Sequence, residues 1–387
     1  MVPPVTRRTL CIVFAAVWSF GWTSARAQGA GTVRVAVLRD AVMARVSIDG
    51  YYRIEDAATH EVLATGRDLR GAVTAFKYAL NIGGKRYRHG KLFLRADTPE
   101  GLEVNGRRYP GHLAIIRGRG AMTLVNHAGL EDYIRGIAVR EISHYWPSEA
   151  LRAHAIVFRT YALYAMKQNA SRDYDVTGDV YSQVYGGTAA MRYRITDACA
   201  ETSGDVITYQ GKVFPSYYHS TCGGHTEAAG ALWNIDIPPL SGVDCVYCKG
   251  SPHFSWRAAF PVEQFVARLA QAGVDADGLR AAEALDIGRS GRIRTVILHR
   301  RSKAAAVVAA KDLRDIIGPD VLKSTNFTAV VRGNTIEFSG NGWGHGAGLC
   351  QWGAYFMAKA GYTCADILAF YYPGSQIKNI HRHDIPQ

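Results

Sequence analysis

The chain has 387 residues, 48% of them hydrophobic and 20% charged, a globular balance that excludes a disordered or low-complexity protein. The length suits one large domain or two modest ones. The formal charge of +12 makes nucleic acid the first partner to consider, and the first residues argue against it.

Arg7 and Arg8 precede a mostly apolar run from Leu10 to Trp22, and Ala25-Arg26-Ala27 is a small-x-small cleavage site. Residues 1–27 therefore read as a secretory signal peptide. The apolar run is short for a transmembrane span, and an uncleaved anchor is the alternative. No small-residue lipobox precedes Cys11. No later stretch is long and apolar enough to cross a membrane, so no stable span is expected after cleavage.

The expected location is outside the inner membrane, in the periplasm or cell wall, where nucleic acid is not a partner. Removing Arg7, Arg8 and Arg26 takes the charge from +12 to +9. The acidic polymers in that compartment are cell-wall glycans, teichoic-type polymers and lipid headgroups; a solvated basic surface is the alternative. Six cysteines remain, namely Cys199, Cys222, Cys245, Cys248, Cys350 and Cys364, an even set that permits disulfides in an oxidising compartment.

From about residue 32 to 126 the pattern is that of strands. Val33, Val35 and Val37 alternate with other residues, and tight turns are signalled at Asp49-Gly50 and Asn105-Gly106. From about 128, Leu130, Ile134, Ile137 and Glu141 share one helical face. Pro147 suits the first turn of a second helix to about Lys167, with Leu151, Ala155, Phe158, Ala162 and Ala165 on its buried side.

Mixed strands and loops follow to about 257. A helix is expected over 262–272, strands over 295–298 and 305–308, a short helix over 312–317 and another helix from about 351 to 360. The expected fold class is α+β: a strand-rich N-terminal module over 28–105, then a mixed α/β catalytic region over 106–380 with two central helices.

Glu141 occupies an apolar stripe where leucine or isoleucine would be expected. Burial raises a carboxyl pKa, which suits a general acid. A buried Glu paired with an arginine or a helix N-terminus is the structural alternative. Arg159, on the next helix, is placed to pair with Glu141 or to bind an anionic substrate group, with a surface arginine as the bland reading.

The segment Tyr217-Tyr-His-Ser-Thr-Cys-Gly-Gly-His225 concentrates polar groups in a loop, and His219, Ser220 and Thr221 are candidates to bond a sugar. No nucleophile elbow surrounds Ser220. Gly340-Asn-Gly-Trp-Gly-His-Gly-Ala-Gly348 has glycine at every second position, expected where backbone closely approaches a ligand or a neighbouring segment. His345 at its centre is a ligand-binding candidate or a satisfied structural histidine. Cys245-x-x-Cys248, with Cys222, His225 and His253 available, reads either as zinc held by two Cys plus a third Cys or a His, or as disulfide pairing among the three cysteines.

Together these segments resemble the stage II sporulation protein D (SpoIID/LytB) family. The blocks "LEDYIRGIAVREIS", "WPSEALRAHAIVFRTYAL", "SQVYGG", "YYHSTCGGHTE", "SPHFSW", "FSGNGWGHGAGLCQWGA" and "ILAFYYPGS" occur in the family's order, whereas 28 to about 105 resembles it much less. The resemblance implies a lytic transglycosylase that cuts between N-acetylmuramic acid and N-acetylglucosamine in denuded peptidoglycan strands and leaves a 1,6-anhydromuramoyl end.

The family's catalytic Glu falls on Glu141 and a substrate-binding Arg on Arg159. Gln183, His219, Ser220, Thr221 and His345 complete the substrate-binding candidates. The implied partners are glycan strands and a cell-wall amidase; a non-catalytic amidase enhancer is the alternative. Some members bind zinc just before the "QVY" block, but here Val176–Ser182 has no Cys or His, so that site is not expected. Neither a cofactor nor a metal is assigned from the sequence.

Overall fold

A computed structural model describes residues 31–98, 101–179, 182–188 and 192–380. The expected signal peptide lies outside them.

The strand-rich part forms two sheets, antiparallel except where Val176–Thr177 pairs in parallel with Thr32–Ala41. One sheet runs, in spatial order, Val176–Thr177, Thr32–Ala41, Met122–Gly129, His112–Arg117, Lys91–Ala96, Tyr51–Asp56, Val62–Arg67. The other runs Arg107–Tyr109, Leu102–Val104, Met43–Ile48, Arg70–Ala75, Leu80–Ile82, Lys85–Tyr87. Val33 and Val35 enter the core while Arg34 between them pairs with Asp175, so the alternation is that of a half-buried strand.

The two turn signals have different outcomes. Asn105-Gly106, both with positive φ, closes the hairpin of Leu102–Val104 with Arg107–Tyr109. Asp49-Gly50 instead passes the chain from one sheet to the other. Strands on either side of residue 105 pair: Lys91–Ala96 with His112–Arg117, and Thr32–Ala41 with Met122–Gly129.

The helices are α1 (Leu130–Glu141), α2 (Ser148–Gln168), α3 (Tyr193–Glu201), α4 (Ala229–Trp233), α5 (Val262–Gln271), α6 (Ala310–Ile317), α7 (Gln351–Lys359) and α8 (Cys364–Tyr371). With the sheets they make an α+β fold. Helix α1 buries Leu130, Ile134 and Ile137 as spaced, each contributing about 1.5–3 kcal/mol by burial. Helix α2 departs from the one-sided expectation. Packed by α1, α3, α7 and α8, it buries Ala153, Ile156, Val157, Arg159 and Thr160 besides the expected face.

Residues 255–341 form a lobe with its own core of Phe265, Leu269, Val296, Leu298, Leu313, Ile336 and Phe338. The main body carries the candidate site.

Candidate functional site at the end of the first central helix

Helix α1 ends at Glu141, and its carboxylate Oε1 accepts the backbone N–H of Val184 at 2.8 Å. Gly136 makes this contact possible. A Cβ there would lie 2.5 Å from the Tyr185 ring and 2.7 Å from the Gly187 carbonyl, so only glycine lets the 183–187 segment lie against the helix. Gly186 N–H then donates to the Gly136 carbonyl at 3.0 Å.

Gln183 is buried beside this contact, its Oε1 accepting from Tyr133 Oη at 3.1 Å. The Tyr218 hydroxyl, also buried, reaches the Glu141 carboxylate closely enough to lower its pKa, without a hydrogen bond of regular geometry among the described residues. Gln351, the first residue of α7, donates from Nε2 to the Glu141 backbone carbonyl at 3.4 Å.

Burial raises the Glu141 pKa above the usual carboxyl range, and Val184 N–H and Tyr218 partly offset this. No arginine or lysine pairs with Glu141 among the described residues. The structural alternative of an ion-paired glutamate is therefore not what is found. A carboxyl that is desolvated, uncompensated by a cation, held by one backbone N–H and approached by the Tyr218 hydroxyl suits a group that holds a proton in one step and carries charge in the next.

Arg159 is elsewhere. Its guanidinium is fully buried, bidentate to Glu131 at 2.8 Å on both arms, with further bonds to the carbonyls of Asp205 and Cys199. It neither pairs with Glu141 nor lies on the surface, and binding a substrate anion would require opening the Glu131 pair. The reason is that α2 is buried on most sides, so one position off the apolar stripe is still interior.

The 217–222 segment reaches the site through a residue that was not singled out. Tyr218 and His219 pair in parallel with Leu349 and Cys350, and successive strand side chains point to opposite faces. Tyr218 faces Glu141. His219 turns away, its Nδ1 on the Ala347 carbonyl at 3.0 Å, and burial holds it neutral. Thr221 is fully buried, its Oγ1 on Ser251 Oγ at 2.8 Å. Ser220 alone of the three keeps some exposure.

His345 sits among the rings of Tyr217, Trp233 and His219 and accepts Ala347 N–H at Nδ1; burial pushes its pKa down to about 3. The alternating glycines serve a neighbouring segment. Gly342, Gly344 and Gly348 have positive φ, and a Cβ on them would strike Thr221, His219 and Tyr217 respectively.

The cysteines converge as the sequence could not show. Sγ atoms of Cys222, Cys245, Cys248 and Cys350 all lie within 4.8 Å of one another, buried. His225 and His253 are not in the group: His225 lies beside Asp244 and His253 against Trp343.

A relative from Bacillus subtilis, named stage II sporulation protein D, is 31% identical over 275 residues, 67% of this chain and 77% of that protein. The chain belongs to the stage II sporulation protein D family. The family model described as "Stage II sporulation protein" matches residues 118–209, the stretch holding α1, α2 and the 183–187 segment. An uncharacterised protein of Brachyspira hyodysenteriae is 34% identical over 297 residues, 76% of this chain and 78% of that one. The "Amidase enhancer" of Bacillus subtilis is 28% identical over 290 residues, 63% of this chain and 40% of that longer protein. Within this sporulation-protein-D fold, the residues the sequence pointed to less directly, Tyr133, Val184, Tyr218 and Gln351, are those that enclose Glu141.

Proposed function

We propose that this protein is a cell-wall enzyme, a lytic transglycosylase of peptidoglycan glycan strands that uses Glu141 as its single acid/base. The observation that carries this reading is the Glu141 carboxyl, half-buried, its pKa raised by desolvation, without a cationic partner among the described residues and held by Val184 N–H.

Ordinary glycosidases use two carboxylates, one to activate water or attack carbon. One suffices for intramolecular transfer. Protonated Glu141 gives its proton to the glycosidic oxygen as the C1–O bond breaks. The resulting carboxylate, stabilised by Val184 N–H and the Tyr218 hydroxyl, removes the proton from the C6 hydroxyl of the same muramic residue. The C6 oxygen bonds to C1, and Glu141 is again protonated. No water is consumed.

A groove of about 380 Å³ near α1 is lined by Arg107, Arg108, Arg140, Glu103, Gly186 and Thr188. Arg140 neighbours Glu141 in sequence and packs on Gly186, two residues from Val184. Its guanidinium makes no ion pair among the described residues. Denuded strands present a lactyl carboxylate on each muramic residue, and these arginines replace Arg159 as the proposed cationic side of the site. Gln183 and Ser220 stay as proposed positioning and contact groups, and an exported location follows from the substrate. A cell-wall amidase that removes stem peptides is the proposed partner.

The test is purified protein on amidase-treated peptidoglycan with mass analysis of products. Anhydromuramoyl ends are expected. Reducing ends would replace the reading with a hydrolase. Binding without cleavage would favour the second reading, a glycan-gripping amidase enhancer, which the similarity to the protein of that name supports.

A further inference from the structure

Four buried thiols on three chain segments are packed together, and nothing in the proposed glycan chemistry uses them. Cys222 follows the Tyr218–Thr221 segment, Cys245 precedes and Cys248 lies within the 3-10 turn Tyr247–Gly250, and Cys350 is the N-cap of α7. All six cysteines outside the first thirty residues are free thiols, and the sulfurs of Cys222 and Cys248 lie 3.4 Å apart. A tetrahedral ion with metal–sulfur bonds of about 2.3 Å needs sulfurs roughly 3.8 Å apart. The mutual limit of 4.8 Å matches that arrangement, while two disulfides would draw two pairs together and away from each other.

Several donors point at the cluster sulfurs. Cys350 Sγ accepts the backbone N–H of Cys222 at 3.2 Å and of Gly353 at 3.4 Å. The Tyr371 hydroxyl lies 3.1 Å from Cys245 Sγ. Gly353 is required for this: a Cβ there would fall 1.8 Å from Tyr371 Oη and 3.0 Å from Cys245 Sγ. Such donors to ligand sulfur orient and stabilise a bound thiolate. Arg292, fully buried, has Nε and Nη2 without hydrogen-bond partners among the described residues and lies within electrostatic reach of Cys222, Glu227 and Cys350. A buried guanidinium needs compensating negative charge; Glu227 supplies part of it, and ionised cluster sulfurs would add to it.

We propose that Cys222, Cys245, Cys248 and Cys350 hold one zinc ion in a closed tetrathiolate site. On binding, the four thiols release their protons to solvent and leave a dianionic centre, beside which Arg292 sits as a counter-charge. With four protein ligands and no open position the ion is structural. It clips the 217–222 segment and the start of α7 together. Tyr218 and Gln351, one on each, are the residues that reach Glu141. The site is distinct from the position before the "QVY" block, where this chain has neither Cys nor His.

The experiment is elemental analysis of the full chain purified without chelator, alongside titration with a mercurial that caps thiols and so releases bound metal, and alkylation of the denatured chain without mercurial to count its thiols. About one zinc per chain is expected, released by the mercurial. Cys350→Ser should lose most of it, whereas Cys364→Ser, outside the cluster, should keep it. Because Cys350→Ser can fail to fold, wild-type protein refolded with Co²⁺ supplies a second readout: the intense visible bands and sulfur-to-metal charge transfer of a tetrahedral tetrathiolate. Metal-free protein with four alkylatable cluster thiols, or with the cluster oxidised to two disulfides, would overturn the proposal. So would a cobalt spectrum showing nitrogen or oxygen ligation.

Discussion

Val184 N–H donates to Glu141 Oε1 at 2.8 Å, bringing a loop residue 43 positions downstream onto the last side chain of α1. The contact does two things: it fixes the carboxylate's rotamer, and it lowers a pKa that burial has raised.

Glu141→Gln should abolish anhydromuramoyl product while glycan binding persists. It should also stabilise the fold near neutral pH. The Glu141 pKa is raised on folding, so its burial costs least below the unfolded value and progressively more as pH rises through the folded one. The gain from Gln should therefore grow with pH and vanish in acid. Melting curves across pH check the sign, and a variant that retains full cleavage would remove Glu141 from the mechanism.

Tyr218→Phe should move the alkaline limb of the pH–rate profile upward. The hydroxyl lowers the Glu141 pKa, and without it the acid keeps its proton to higher pH. An unmoved limb with an unchanged rate would mean that Tyr218 does not act on the carboxylate.

Gly136→Ala should cost activity even though alanine favours helix by about 1 kcal/mol. The added methyl meets Tyr185 and the Gly187 carbonyl, pushing the 183–187 segment off α1 and taking Val184 N–H with it. The measurement is kcat on denuded strands beside a helix-stability assay. More stable protein at full activity would contradict the packing argument.

Glu131→Ala should destabilise the fold by about 3–5 kcal/mol, because it leaves the fully buried Arg159 guanidinium without its carboxylate. Denaturant midpoints read this directly. Activity per folded molecule should change little, since Arg159 is committed to Glu131, Asp205 and Cys199. A selective rise in KM with stability intact would return Arg159 to the substrate site.

Arg140→Glu should raise KM for denuded strands several-fold with kcat nearly kept, and should flatten the salt dependence of binding. If KM and its salt slope match the parent, the groove of Arg107, Arg108 and Arg140 does not hold the glycan.

Local pattern determined a good deal of this protein. The 3.6-residue spacing of Leu130, Ile134 and Ile137 set helix α1 and put Glu141 on its buried stripe, and Asn105-Gly106 set a hairpin, because these are properties of neighbouring residues. The alternating glycines announced a close backbone approach, though not to which segment. Tertiary structure decided the rest. Arg159 is interior rather than at the surface because burial on the second side of α2 depends on α3, α7 and α8, which helical spacing cannot report. Tyr218 rather than His219 reached Glu141 because pairing with Leu349–Cys350 fixed which strand face points inward, and a shift of one residue reverses every side chain. Cys350 joined Cys222, Cys245 and Cys248 from about a hundred residues away because the register that seats Tyr218 also carries that sulfur into the cluster, and no spacing along the chain encodes such a meeting.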